Sequence, residues 1–279
     1  MRITFHGTRG SIATPGPETA RYGGDTSCIS VSGDDPTHLL VLDAGTGIRR
    51  LGITMGQQVQ RIDLLLSHLH LDHIVGLGFF APLFREDLVV TITAPPSSTS
   101  LLDRLGRYLS PPLFPVRLRD VACDLRLQDA QEYPVAYGEF TISAAAIIHP
   151  DNAVGYRIES HGQAMVYLPD HEPALSPAFP ALRAWTSGAD IAEAADLLVH
   201  DAQYAPDEYP AHLGWGHSSV LQAAAFADLV GARALALFHH DPAHDDGTVD
   251  RLAMQARAVS DRLEVFAATQ GASVTLGER

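Results

Sequence analysis

A short aliphatic run followed at once by metal-ligand side chains constrains this sequence more than any other feature. Residues 62–66 are aliphatic apart from Asp63, and this run is short and bounded, which predicts a buried strand. His68 and His70 follow it and, in an extended chain, point to the same side, where they can hold one ion. Asp72 and His73 fall where the chain turns and can face a second ion. Four such side chains together predict a metal or catalytic site rather than a solvated loop.

The pattern HxHxDH after a buried strand resembles the signature of the metallo-β-lactamase-fold hydrolases. The similarity is greatest to their phosphodiesterase branch, which includes the tRNA 3′-processing nuclease and cyclic-phosphate diesterases. The lactamases proper fill the position of His73 differently, and the flavin-linked di-iron branch has Glu in place of His70. The resemblance implies an αββα four-layer sandwich, in which two β-sheets pack face to face with helices outside. We expect residues 1–279 to form a single domain of this kind.

The remaining motifs of that branch occur in order along the chain. The resemblance implies one ion held by His68, His70 and His149, and a second held by Asp72, His73 and His239, with His240 as the fallback for the last ligand. Asp170 matches the carboxylate that bridges both ions, and Asp43 matches an aspartate that orients the histidine loop without binding metal. The resemblance thus predicts two divalent cations, Zn²⁺ or Mn²⁺, with iron as an alternative.

Asp201 and His217 stand where the nuclease branch has two residues that act together near the leaving group. The resemblance implies that His217, oriented by Asp201, protonates the leaving oxygen, while a hydroxide between the cations attacks phosphorus. Asp72 is counted with this catalytic set as well as with the ligands. His171 and Glu172 have no counterpart that we can assign, and we expect both to be exposed loop residues.

A loop rich in glycine and proline covers residues 7–28. Many members of the family open with a similar Gly-Thr-Arg-Gly-Ser segment beside the metal site. Arg9 and the backbone amides up to Ser11 are therefore candidate phosphate contacts. An equally good interpretation is that the glycines of this segment only make turns.

Elsewhere strands and helices alternate, with no linker or repeat between them. The apolar pattern predicts a helix over residues 74–84 and a short helix over 191–195. Residues 110–139, with their prolines, are expected to be an irregular connection.

The net charge of −14 predicts an acidic surface, which repels polyanions. We therefore expect binding to nucleic acid to be unfavourable. A homodimer is a possible assembly, in which one subunit could bring basic residues over the site of the other. The two cysteines, Cys28 and Cys123, are expected to be buried small residues in a reducing compartment. No signal sequence or long apolar run is visible, so we expect a cytoplasmic protein with no membrane partner.

These features favour a metal-dependent phosphodiesterase whose substrate is a small phosphodiester. The substrate that we expect is a cyclic nucleotide or another cyclic phosphate. The tRNA nuclease carries a basic arm between its third and fourth motifs, whereas residues 150–169 of this chain include a single Arg157 and no Lys. An RNA 3′-processing nuclease and a thioester or ester hydrolase of the same fold are the alternatives. A non-catalytic metal-binding regulatory domain is disfavoured because the full ligand set is present.

Overall fold

Two seven-stranded mixed sheets form the frame of the computed structural model, which describes residues 1–131, 134–176 and 183–277. The strands of the first sheet are β1 (Arg2–Gly7), β2 (Cys28–Ser32), β3 (His38–Leu42), β4 (Arg61–Leu65), β5 (Val89–Ala94) and β6 (Asp124–Asp129). The strands of the second are β7 (Val135–Tyr137), β8 (Phe140–Ala146), β9 (Val154–Ser160), β10 (Gln163–Leu168), β11 (Leu197–Asp201), β12 (Ala234–Phe238) and β13 (Glu264–Ala267). The last strand, β14 (Ser273–Thr275), returns to the first sheet and pairs with β1.

The α-helices of the described residues lie outside the two sheets. They are α1 (Gly47–Thr54), α2 (Leu71–Ile74), α3 (Leu101–Gly106), α4 (Val220–Leu229) and α5 (Asp246–Arg257). One apolar cluster packs α1, α2 and α3 against the first sheet, and another packs α4 and α5 against the second. A third cluster lies between the sheets and includes Phe5, Tyr167 and Phe238. These layers are those of an αββα sandwich, and the predicted fold class is confirmed.

The central strands read as continuous apolar runs because both of their faces are covered. All five residues of β3, for example, are buried. The strand β8 lies near the edge of its sheet and largely alternates buried with more exposed positions. Hydrophobic patterning along the chain therefore reports where each strand lies in its sheet.

Strand direction brings the motif-bearing loops together. In the first sheet β3 to β6 run parallel, and in the second sheet β10 to β13 run parallel. Their carboxyl ends are where ligand sites form in open sheets. The loops that follow β4, β10, β11 and β12 carry most of the residues singled out in the sequence.

Three local expectations were wrong. Residues 74–84 do not form one helix but short turns of 3-10 helix at Leu77–Phe79 and Ala81–Phe84, since Gly76 and Pro82 interrupt a longer helix. Residues 110–139 contain β6, which pairs with β5, and β7, which forms a hairpin with β8. Residues 191–195 form turns rather than a helix.

Cys28 and Cys123 are both buried and free, as expected. Over the described ranges, 1–131, 134–176 and 183–277, no helix has the length and apolar character needed to cross a membrane.

Candidate active site

The histidine loop begins where β4 ends. The backbone N–H of Ser67 donates to Asp43 Oδ1 at 2.7 Å, which fixes the chain just before His68. His70 then takes the N-cap position of α2 with extended backbone angles, φ −64° and ψ 152°. The chain is therefore extended through the first two histidines and helical from Leu71 onward, as the spacing of the motif requires.

His68, His70 and His149 form the first ligand group, with one ligand nitrogen of each within 4.8 Å of the others. His149 Nδ1 donates to the carbonyl oxygen of Gly216 at 3.0 Å, and His68 Nδ1 donates to Ser67 Oγ at 3.0 Å. These bonds keep the proton on Nδ1 and leave the lone pair of Nε2 free. His70 presents its Nδ1, which lies 3.2 Å from His149 Nε2.

Asp72, His73, Asp170 and His239 form the second ligand group, and all four are buried. His73 Nε2 lies 2.9 Å from Asp170 Oδ1 and 3.3 Å from Asp72 Oδ2. His239 Nε2 lies 3.3 Å from the same oxygen of Asp170 and 3.2 Å from the same oxygen of Asp72. Two carboxylates and two imidazoles that converge in this way suit a divalent transition metal.

Asp170 lies between the two groups, with one oxygen toward each. Its Oδ2 is 3.8 Å from the Nε2 atoms of both His68 and His149, whereas its Oδ1 faces His73 and His239. Burial by itself raises the pKa of this carboxyl group, but the neighbouring His239 and His73 outweigh it and hold the pKa well below its ordinary value. An ionised carboxylate is the form that can bridge two cations.

Several ligand atoms of the two groups are buried without a hydrogen-bond partner. They are His68 Nε2, His73 Nε2 and Asp170 Oδ1. Leaving a buried polar atom unsatisfied costs about 1–3 kcal/mol. His73 Nε2 and Asp170 Oδ1 form a close pair at 2.9 Å, and together with His68 Nε2 they favour a ligand at this place. The donor set and these unsatisfied atoms fit two divalent cations. The assignment of each side chain as a ligand stays a prediction.

Asp43 lies behind the histidine loop, and three side chains donate hydrogen bonds to one of its carboxylate oxygens. Its Oδ2 accepts hydrogen bonds from Ser67 Oγ at 2.8 Å, His73 Nδ1 at 2.7 Å and Tyr167 OH at 2.9 Å. It therefore contacts the histidine loop on the side away from the ligand nitrogens, and its role in orienting that loop stays a prediction.

Asp201 and His217 are brought together from β11 and from the loop before α4. Asp201 Oδ2 accepts from His217 Nδ1 at 2.7 Å, while its Oδ1 accepts from the backbone N–H of Gln203 at 3.0 Å and of Ser218 at 2.8 Å. Burial lowers the pKa of His217, but the charge and hydrogen bond of Asp201 outweigh it and raise the pKa to about 9. The carboxylate partner therefore favours the protonated form of the imidazole, which is the form that can donate a proton.

His217 also contacts both ligand groups through its ring. It stacks on His239 with ring centroids 5.0 Å apart and an interplanar angle of 13°, and it meets His149 edge to face at 5.1 Å. The predicted proton-transfer pair thus lies against the predicted ligands, although the two parts come from distant segments of the chain.

The structure separates His239 from His240. His239 has a left-handed backbone, φ 59°, and its Nδ1 donates to Gln203 Oε1 at 3.0 Å, which leaves Nε2 for the second ligand group. His240 instead turns into the protein and donates from Nε2 to the carbonyl oxygen of Ala268 at 2.9 Å. His240, the alternative for the last ligand, therefore does not face the second ligand group. Gln203 was missed by the sequence reasoning, since only its contact with His239 marks it.

Arg9 corrects one expectation about substrate contacts. Its side chain is fully buried, and the guanidinium donates to the carbonyl oxygens of Gly23 at 2.8 Å, Asp241 at 2.9 Å and His244 at 2.7 Å. The arginine joins the N-terminal loop to the segment after β12. The structure contradicts the hypothesis that Arg9 contacts phosphate, because the side chain is fully buried and its Nε and Nη1 donate to backbone carbonyls, while Nη2 is buried without a partner among the described residues.

Ser11 is exposed and lies next to the second ligand group. Its backbone N–H donates to Asp72 Oδ2 at 2.8 Å, and its own backbone is left-handed, φ 59°. Gly10 packs so closely that a Cβ there would lie 2.4 Å from the ring of His239. The backbone of this loop therefore orients Asp72. A contact between the Ser11 side chain and substrate stays a prediction.

His171 and Glu172 correct a second expectation, because both are fully buried rather than exposed. His171 Nδ1 lies 2.9 Å from His200 Nε2, and Glu172 accepts hydrogen bonds from the loop that precedes His217. Their sequence position next to Asp170 was the one available signal of a role at the site.

The sandwich and the two ligand groups on its rim define a metal-dependent hydrolase of the metallo-β-lactamase fold. Residues 38–240 match the model of the Beta-lactamase superfamily domain, and the chain belongs to this family. The predicted family and enzyme class are confirmed.

Known proteins and solved structures are similar to this chain along most of its length. The chain is 27% identical to Ribonuclease Z of Haloarcula marismortui, over 96% of this chain and 94% of that protein. It superposes on the metallo-beta-lactamase fold protein YhfI from Bacillus subtilis with a TM-score of 0.70 and 21% identity, over 98% of each chain. It superposes on the short form of human tRNase Z with a TM-score of 0.68 and 18% identity, over all of both chains.

These comparisons correct the expectation that a nucleic-acid partner is unfavourable. Several relatives that match 86% to 96% of the chain are named Ribonuclease Z, which is the name of an enzyme that acts on RNA. The error came from using the charge of the whole chain. Net charge does not describe how charged side chains are distributed around one rim of the fold.

Proposed function

We propose that the chain is a dinuclear metal-dependent phosphodiesterase that acts on the 3′ end of RNA. The observation that carries the proposal is the contact of the Asp201–His217 pair with both ligand groups, which Asp170 spans. Thioester hydrolysis releases a thiolate, which can leave without a proton, whereas a phosphodiester with an alkoxide leaving group also needs a proton donor. The relatives named Ribonuclease Z support the same reaction.

Two residue sets would hold the cations. His68, His70 and His149 would hold the first, and Asp72, His73 and His239 the second, with Asp170 shared. Zinc suits these nitrogen and oxygen donors, and manganese is the alternative. Bound there, such ions lower the pKa of water to give a nucleophile and stabilise the charge that develops on the phosphoryl oxygens.

His217 is the residue that we assign to the leaving oxygen. Its Nδ1 is committed to Asp201, so Nε2 is the nitrogen that can exchange a proton with a bound substrate. Asp201 is itself held by two backbone N–H groups, from Gln203 and Ser218. The carboxylate therefore fixes both the tautomer and the orientation of the imidazole ring, as in other pairs of this kind.

An exposed aromatic side chain beside this pair supports an RNA substrate. Trp215 stands two residues before His217 and is 59% exposed, and its ring meets His212 edge to face at 4.9 Å. An unpaired base stacks on such a ring without regard to sequence, at about 1–3 kcal/mol per base. A protein with an acidic overall charge can in this way bind a single-stranded RNA end.

A small cyclic phosphodiester is the second candidate, and the hairpin of β9 and β10 favours it. Residues 150–169 contain no basic arm, and their one arginine, Arg157, is engaged with Glu159 at 3.0 Å and with the carbonyl oxygens of Ile191 and Glu193. This segment therefore has no free cation for gripping the body of a folded RNA.

The test compares substrates on protein reconstituted with Zn²⁺ or Mn²⁺. We expect kcat/KM on a tRNA precursor, at near-physiological salt, to exceed the values on a cyclic nucleotide, a thioester and a lactam. The variant His217→Ala serves as the control for trace nuclease contamination. A cyclic nucleotide cleaved more efficiently than the precursor would support the second candidate, and activity on the thioester alone would refute both.

A further inference from the structure

Glu172 is a fully buried carboxylate that the chemistry proposed above does not use. Its Oε1 accepts hydrogen bonds from Tyr209 OH at 2.6 Å and from the backbone N–H of Gly214 at 2.9 Å. Its Oε2 accepts from the backbone N–H of Gly216 at 2.9 Å. A buried carboxylate is tolerated only when its lone pairs are filled. Residues 214 and 216 are therefore held where this carboxylate can reach them.

The loop that Glu172 holds connects to both ligand and proton-transfer residues. Gly216 immediately precedes His217, and its carbonyl oxygen accepts from His149 Nδ1 at 3.0 Å. Gly214 and Gly216 have left-handed backbones, φ 84° and 86°. A Cβ at Gly216 would lie 2.4 Å from His149 Nδ1, so the backbone packs against His149 with no room for a side chain.

Two further hydrogen bonds involve the backbone of residues 171 and 172. Ser218 Oγ donates to the carbonyl oxygen of His171 at 2.6 Å, and the backbone N–H of Glu172 donates to the carbonyl oxygen of Ile148 at 3.1 Å. The segment 170–172 therefore contacts the loops on either side of the site, and it begins with the carboxylate that spans the two ligand groups.

We infer that Glu172 is a positioning residue, which places His217 for proton transfer by fixing the backbone of Gly214 and Gly216. The inference rests on the function proposed for His217. A general acid must lie within hydrogen-bond reach of the leaving oxygen, and a loop that turns through two glycines depends on contacts from outside the loop to hold that position. Glu172, two residues after Asp170, provides such contacts through its hydrogen bonds to the backbone of Gly214 and Gly216.

The test is the variant Glu172→Gln, which keeps the size of the side chain but turns an N–H₂ group toward one of the backbone donors. Its kcat is measured on an RNA dinucleotide and on a p-nitrophenyl nucleotide diester, which differ in how much the leaving group needs a proton. We expect kcat on the dinucleotide to fall about 10- to 100-fold, with a much smaller change on the nitrophenyl ester. Equal losses on the two substrates would overturn the inference.

A double-mutant cycle and a fluorescence measurement sharpen the test. In a His217→Ala background, Glu172→Gln should cause little further loss on the dinucleotide, because both changes remove the same step. In a Trp185→Phe background, the remaining Trp215 reports on the loop in metal-free protein, and we expect its anisotropy to fall in Glu172→Gln. Full additivity in the cycle, or an unchanged anisotropy, would contradict the inference.

Controls separate this inference from the proposed function. Asp63→Asn removes another buried carboxylate, paired with His38 at 2.7 Å, and should lower the melting temperature without changing the ratio of the two rates. If Glu172→Gln does not fold, Glu172→Asp replaces it, and wild-type rates on both substrates would then overturn the inference. Equal losses for His217→Ala on both substrates would overturn the proposed function and this inference with it. A selective loss for His217→Ala but not for the Glu172 variant would overturn the inference alone.

Discussion

His73 and Asp43 form a carboxylate–imidazole hydrogen bond that is fully excluded from solvent. His73 Nδ1 donates to Asp43 Oδ2 at 2.7 Å, and both side chains are 0% exposed. Asp43 reaches this position from a left-handed backbone, φ 59°, a conformation that non-glycine residues adopt at a cost of order 1–3 kcal/mol. The bond keeps the proton on Nδ1 and leaves Nε2 directed at Asp170.

The first prediction concerns this bond. Asn at position 43 presents an N–H₂ group or a neutral oxygen to His73, so the ring loses the partner that fixes its tautomer. We expect Asp43→Asn to weaken binding of one of the two metal ions about 10- to 100-fold, as measured by competition with a chromogenic chelator. Tyr167→Phe removes a different donor to the same oxygen, and should change metal affinity far less. Unchanged affinity for both ions in Asp43→Asn would refute the orienting role.

The second prediction is the metal content. Freshly purified protein should hold about two transition-metal ions per chain, the number that two separate ligand groups imply. His68→Ala and Asp170→Ala should lose metal and activity together, because the first removes a ligand of one group and the second removes the carboxylate that spans both. The measurement is elemental analysis of the active protein. A trace of metal in fully active protein would contradict the dinuclear site.

The third prediction separates the ligands from the proton donor. His217→Ala should keep both ions yet lose about 10²-fold or more in kcat on a substrate with an alkoxide leaving group. The loss should shrink on a nitrophenyl ester, because nitrophenolate leaves without protonation. The comparison of the two losses is the measurement. If His217→Ala lost its metal, His217 would be a ligand and not the general acid.

The fourth prediction concerns stability against pH, away from the ligands. His6 is buried and its Nε2 lies 2.8 Å from Ser30 Oγ. Burial, and then the charge of Arg50, lower its pKa from 6.5 to about 4. A depressed histidine pKa stabilises the fold above pH 6.5, and this contribution is lost as the pH falls toward 4 because the unfolded chain binds the proton first.

The size of that effect follows from the shift, at about 1.4 kcal/mol per pKa unit. Urea unfolding of the wild type and of His6→Gln should show a difference in pH dependence on the order of 3 kcal/mol between pH 7 and pH 4. Subtracting the two curves cancels the other titrating groups. Parallel curves would show that His6 titrates normally in the folded protein.

The sequence predicted the fold class through the resemblance of its motifs to the metallo-β-lactamase fold, and it predicted a metal or catalytic site through a short-range pattern. The aliphatic run before His68 marks a buried strand, and the spacing of His68, His70, Asp72 and His73 suits an extended chain that turns into a helix. The edge strands were predicted poorly. β6 pairs with β5, about 30 residues earlier in the chain, whereas β7 pairs with β8 across a two-residue turn that the sequence analysis did not identify as a hairpin.

The sequence by itself determined which residue types reach the rim, and only the tertiary structure decided what each side chain contacts there. Arg9 and Glu172 look alike in sequence, as charged residues in loops, yet both are buried by partners more than 40 positions away, His244 for one and Gly216 for the other. His239 and His240 are neighbours, and the backbone turn at φ 59° directs one to the ligands and the other inward. Burial and long-range hydrogen bonds arise from packing between distant segments, which local patterns do not encode.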